Sequence, residues 1–171
     1  MSNSENLTDG GVGAITFNSQ GQVINYQRIL RGTRRNCGGG KTFWKTWMTC
    51  EEVPGGQVWE VDPWGRRPGR QTIMGKQGAM YESAAYDNRN PSKPTFYITT
   101  DEYNGPLIRF TPDPAEVQYA LLYKDYGNLL HRGTNFKTEY FYITFIDETT
   151  GKGTYVWTTD IAAGRASAGT W

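Results

Sequence analysis

Polar and apolar positions in this chain alternate more often than they recur at helical spacing. The alternation comes in paired short runs around turn residues. Ala14 to Tyr26 reads as a hairpin around Asn18-Ser19-Gln20-Gly21, with a glycine placed for positive φ. Gln27 to Arg35 reads as a basic connection. Trp44, Trp47 and Thr49 have strand character, and Gln57 to Asp62 alternates as a return strand beyond the Pro54-Gly55-Gly56 turn. Thr95 to Phe110 is a second hairpin, turning at Glu102 to Pro106. Phe141 to Asp147 and Thr154 to Asp160 are the arms of a third. Ala115 to Lys124 is the one run that suits a short helix, and the Ala/Gly/Ser-rich run from Ile161 to Trp171 reads as the start of a further element. Residues 1–11 are polar and read as a flexible lead-in, which places the domain at 12–171.

The hairpins repeat. Trp47-Met48-Thr49, Tyr97-Ile98-Thr99 and Tyr142-Ile143-Thr144 open equivalent units, spaced 50 and then 45 residues apart. A strand–turn–strand unit recurring about every 40–50 residues is the signature of propeller blades. Each unit has an aromatic face that it buries only against a neighbour. The expected fold is therefore all-β: a partial β-propeller of about three to four antiparallel hairpin units, with at most one short helix. A partial propeller has uncapped ends, so self-association is expected.

Composition narrows the function classes. Lys+Arg is 18 and Asp+Glu is 17, so the net charge of +1 gives no basic excess for nucleic acid. No apolar run approaches the ~18–20 residues of a membrane span, and the N-terminus of this form has no apolar core of a signal peptide. The compartment stays open. Two cysteines do not make a disulfide framework. A Cys37–Cys50 disulfide and two buried free thiols are both open readings.

The densest chemistry lies in Asn36 to Glu52, NCGGGKTFWKTWMTCEE. It holds both cysteines, three consecutive glycines and the paired carboxylates Glu51 and Glu52. Three glycines let a backbone approach its neighbours closely, and thiolate with carboxylate suits a metal better than a core. Glu82 is a lone carboxylate among Tyr81, Ala84, Ala85 and Tyr86, costly to bury unless paired or metal-bound. Arg66, Arg67 and Arg70 read as a solvated loop, with an anion contact as the alternative. The single histidine, His131, reads as a turn residue.

NCGGGKTFWKTWMTCEE resembles the signature of the PhoX-like alkaline phosphatase family, whose usual form is NC-x-GG-x-TPW-x-TW-x-(T/S)-CEE. Further stretches match in order: GQVWEVDPWGRR, YESAAYD at 81–87, FYITTDEYNGPLIRFTPD at 96–113, LHRGTN at 130–135 and GTYVWTTD at 153–160. The resemblance implies a β-propeller phosphatase dependent on calcium and iron. It implies Cys37, Glu52 and Glu82 as metal ligands. The family's next ligand, the Glu of its TED motif, falls on Thr100, so Asp101 or Glu102 could substitute only with a register change. Asp101 is taken as the candidate fourth ligand. Phe43 stands where the family has proline, and later acidic motifs of the family find no match before Trp171.

The expectation is a degenerate PhoX-like domain without phosphatase activity, acting as a binding or self-assembling module. The alternatives are a calcium- and iron-dependent phosphomonoesterase acting on a phosphate ester, and a calcium-binding module. Calcium and iron rest on the resemblance alone, with no metal as the open alternative. No catalytic residue and no organic cofactor site is assigned, and neither nucleic acid nor membrane is expected as a partner. Cys37, Glu52 and Glu82, up to 45 positions apart, are expected to converge in space.

Overall fold

Strands dominate the chain, as the alternation predicts. The computed structural model describes residues 1–103, 105–132 and 137–169. Strands β1 (Ser2–Ser4), β2 (Gly10–Phe17) and β3 (Val23–Thr33) form a three-stranded antiparallel sheet in that order. The next four strands are β4 (Asn36–Lys41), β5 (Trp47–Gly56), β6 (Val58–Val61) and β7 (Arg70–Gln71). After a 3-10 turn at Ile73–Gly75 come β8 (Ala79–Asp87), β9 (Thr95–Thr100) and β10 (Leu107–Thr111). Helix α1 (Pro114–Tyr123) precedes β11 (Lys137–Ile146) and β12 (Gly153–Thr158), and α2 (Ile161–Ser167) follows. A nine-stranded antiparallel sheet runs β12-β11-β10-β9-β8-β5-β6-β7, with β4 also paired to β5. The expected hairpins are thus present: that of β2 and β3 in the small sheet, the others joined side by side through the β5–β8, β8–β9 and β10–β11 ladders.

The main core lies along the sheet and includes Met48, Cys50, Tyr81, Phe96, Ile98 and Leu130. Burying side chains of this size contributes roughly 1.5–3 kcal/mol each. Val12, Leu30 and Val61 form a smaller core, flanked by Trp47 and Trp59, that fastens the three-stranded sheet to β6. The tryptophan and tyrosine stripes are therefore packing devices.

Three expectations need correction. Residues 1–11 are not a loose lead-in: β1 pairs with β2 in the register Ser2↔Gly13, Asn3↔Val12 and Ser4↔Gly11. The connection at 27–35 is mostly strand, because β3 runs on to Thr33. There are two helices among the described residues, not one at most. In α1, Asp113 caps by accepting from Ala115 N at 2.8 Å, Pro114 sits in the first turn, and left-handed Lys124 ends the helix. In α2, Asp160 caps by accepting from Ala163 N, and Gly164 lies on the Tyr142 ring, where a Cβ would come within 2.1 Å of Cε2. Packing, not amphipathic spacing, selects that helix. No helix among the described residues is long and apolar enough to cross a membrane.

Candidate metal centre

Cys37 on β4, Glu52 on β5 and Glu82 on β8 come together. One ligand atom from each lies within 4.8 Å of the others. Each residue sits where its ladder is irregular. Register shifts fall between Asn36 and Gly39 on β4, between Glu52 and Gly56 on β5, and between Tyr81 and Ser83 on β8. Such bulges re-aim side chains. They free Cys37 and Glu82 from regular pairing.

The glycines make the convergence possible. A Cβ on Gly38 would lie 2.5 Å from Glu82 O, one on Gly39 2.1 Å from Met48 O, and one on Gly40 2.1 Å from Ala84 O. No side chain fits there, so β4 lies directly on the backbones of β5 and β8. That contact carries Cys37 Sγ to 3.3 Å from Glu82 Oε1.

The adjacent carboxylates have different tasks. Glu51 accepts from Arg34 N at 2.8 Å and from Gln57 N at 3.0 Å, so backbone donors hold it. Glu52 faces the cluster and takes Arg35 at 3.0 Å. Arg35 has a positive φ of 38°, sparsely populated for a side chain of its size. Its amide donates to Asn6 O, and its carbonyl accepts from Glu52 N. A strained backbone is thus pinned next to Cys37, as happens at functional sites.

Burial, hydrogen bonds to Glu82 and Glu52, and the negative charges of Glu82 and Glu5 push the Cys37 thiol up to about 12. Without a cation it is a neutral thiol at physiological pH. Cys50 is buried in the main core, and burial pushes its thiol up as well. Both cysteines are free, which answers the disulfide alternative for this structure.

Asp101 does not join the group. Thr100 pairs with Tyr81, and the Asp101 amide donates to Met80 O at 2.8 Å, which leaves the Asp101 side chain exposed. The irregularity falls on β8, so the register of β9 does not slip to bring Asp101 inward. At the matching position Thr100 Oγ1 is buried without a partner, and Gly105 abuts it so closely that a Cβ would lie 2.2 Å away.

The three-residue donor set fits a metal. Oxygen ligands bind calcium at about 2.3–2.6 Å, so ligands of one ion stand no more than about 5 Å apart, and the three ligand atoms here lie within 4.8 Å of one another. Cys37 adds a soft donor suited to iron. An alkaline phosphatase PhoX family model matches residues 10–57, which contain both Cys37 and Glu52. Over that stretch the chain is similar to the PhoX family. The solved structure of Pseudomonas fluorescens PhoX in complex with vanadate, a transition state analogue, is similar to it over 87% of this chain, with a TM-score of 0.55 and 14% identity. The chain spans 35% of that protein's length. No curated protein matches it.

Phe43, in the family's proline position, packs against Trp44, Tyr86 and Tyr126. Of the stretches read as PhoX-like, Asn104 and residues 133–135 lie outside the described residues.

Two contributors to the site region had no signal in the sequence. Glu5 Oε1 stands 3.6 Å from Cys37 Sγ. His131, read as a turn residue, does lie in a half-buried turn, and its ring makes two long-range contacts: its Nε2 lies 2.6 Å from Glu60 Oε2 and its Nδ1 2.9 Å from Gln71 O. Its partner is 71 positions away, which no local pattern reveals.

Proposed function

We propose that this PhoX-like chain is a metal-binding β module with weak or absent phosphomonoesterase activity of its own, acting through binding and self-assembly. The observation that carries the reading is the convergence of Cys37, Glu52 and Glu82 without a carboxylate from Thr100 or Asp101. Cys37 would supply the soft ligand that suits iron, and Glu52 and Glu82 the hard oxygen ligands that suit calcium. Bound cations at such a site stabilise charge on a transferring phosphoryl group. A set short of one anionic ligand holds them loosely and leaves their charge less balanced. With p-nitrophenyl phosphate and added calcium, turnover is expected at or near background. Calcium-dependent turnover abolished by Glu82→Gln would overturn this and establish the second reading, a phosphomonoesterase, which the same convergence favours.

Metal binding is expected to release the Cys37 proton. Because the thiol is pushed up to about 12, affinity for a thiolate-binding ion should rise about tenfold per pH unit through neutrality. Cys37→Ser should flatten that slope. Isothermal titration at several pH values measures it, and a slope unchanged by Cys37→Ser would remove the thiol from the site.

Self-association is supported by the β2–β3 hairpin, which exposes Phe17, Val23, Ile24 and Tyr26. β3 is also the outer strand of its sheet. Unpaired edges with exposed apolar side chains pair readily, and a net charge of +1 offers little repulsion. In this reading the hairpin units belong to a propeller whose open ends meet between copies. Light scattering at micromolar concentration should show a dimer or larger assembly. A stable 19.3 kDa monomer would end the idea.

A further inference from the structure

We propose that Glu5, carried by the N-terminal segment after β1, is a further ligand of the same cation and straps that segment over the site. The inference rests on the reading of Cys37, Glu52 and Glu82 as a metal centre.

The segment is held on both sides of Glu5 by groups that also position the cluster. Before it, Asn3 Nδ2 donates to Cys37 O, and Asn3 Oδ1 accepts from Trp47 Nε1 and Thr49 Oγ1, each at 3.3 Å. After it, Asn6 O accepts from Arg35 N at 2.9 Å, and the Arg35 guanidinium holds Glu52. Asn6 Oδ1 then accepts from Thr8 N and Asp9 N, which turns the chain back into β2. Residue 3 is therefore fastened to the strands of Cys37 and Glu52 and residue 6 to the turn that leads into β4, and Glu5 stands between them with Oε1 at 3.6 Å from Cys37 Sγ.

Among the described residues no Lys, Arg or His side chain forms an ion pair with Glu5. Its near neighbour is instead a thiol already bonded to Glu82. Three carboxylates then converge on one thiol, with Arg35 as the guanidinium paired to one of them. Like charges at such range repel, by about 1 kcal/mol or more where water is partly excluded. A divalent cation turns that repulsion into attraction and lets Cys37 ionise. Glu5 would raise the anionic ligand count that the Thr100 position lowers. Its backbone pins mean that little chain entropy remains to be lost on binding.

Cobalt(II) is the test probe, since thiolate ligation to it gives a charge-transfer band. The wild-type chain should show the band, and Cys37→Ser should lose it. Glu5→Gln should keep the band but bind cobalt at least about tenfold more weakly, as loss of even an outer-shell partner costs 10–100-fold. The loss should persist at 0.5 M KCl, where a merely long-range charge effect is screened within about 4–5 Å. Melting without metal should be no lower than in the wild type, because Glu5 is exposed and its loss relieves repulsion. Amide exchange at 4–6 should slow on cobalt addition in the wild type and not in Glu5→Gln. Equal cobalt affinities of wild type and Glu5→Gln would overturn the role of Glu5 and leave the centre standing. A wild-type chain without band or binding would overturn both.

Discussion

Glu60→Ala is expected to destabilise the fold by about 3–5 kcal/mol, because it leaves several hydrogen-bond donors without their acceptor at about 1–3 kcal/mol each. Glu60 is buried and His131 half-buried, with side-chain exposures of 7% and 9%. Glu60 Oε2 meets His131 Nε2, while Oε1 accepts from Trp44 Nε1 at 2.7 Å and Thr46 Oγ1 at 2.6 Å. The other ring nitrogen faces Gln71 O. Truncating Glu60 therefore strands three donors at once. Glu60→Gln keeps an acceptor for Trp44 and Thr46 and gives neutral His131 a donor, so it should cost clearly less.

The same pair sets an acid limit. Burial acts to raise the Glu60 pKa, but the bonds from His131, Thr46 and Trp44 outweigh it and hold the carboxyl below its ordinary 4.5. A depressed carboxyl stabilises the fold above the unfolded value, and that contribution fades as pH falls through 4.5 and below. Urea midpoints from pH 7 to pH 3 should drop for the wild type and stay flatter for Glu60→Gln. Parallel profiles would show that Glu60 is not the group that titrates. Trp44 and Thr46 lie in the turn joining β4 to β5, so this pair also steadies two strands of the metal centre.

Much of the sheet was legible because half-buried antiparallel strands impose a period of two, and Tyr97-Ile98-Thr99 and Tyr142-Ile143-Thr144 show it. Convergence of Cys37, Glu52 and Glu82 was legible through the glycine run and the family's motifs. What stayed hidden depends on contacts distant in sequence. Ser2–Ser4 has no strand-like composition, yet its backbone pairs with β2 and Asn3 bonds to Cys37, Trp47 and Thr49. α2 exists because Gly164 fits against Tyr142. Asp101 stays outside the group, since the bulge falls at Glu82, on the strand opposite.

Gly40→Ala is expected to destabilise the chain by about 3 kcal/mol, the upper end of ordinary overpacking, and to weaken metal binding in the same stroke. The new methyl would stand 2.1 Å from Ala84 O and 3.0 Å from Ala84 C. These are backbone atoms of a paired strand, so no rotamer change relieves the clash. β4 must lift from β8, and Cys37 leaves Glu82 with it. Gly32→Ala supplies the contrast. Gly32 has φ +72° and open space around its Cβ position, so alanine there meets only the left-handed backbone penalty of about 1–2 kcal/mol. Its strand carries none of Cys37, Glu52 and Glu82, so its cobalt affinity should match the wild type. Urea unfolding together with cobalt titration separates the two effects. If Gly40→Ala binds cobalt as the wild type does, close packing of β4 on β8 is not what places the thiol, and the glycine run serves the fold alone.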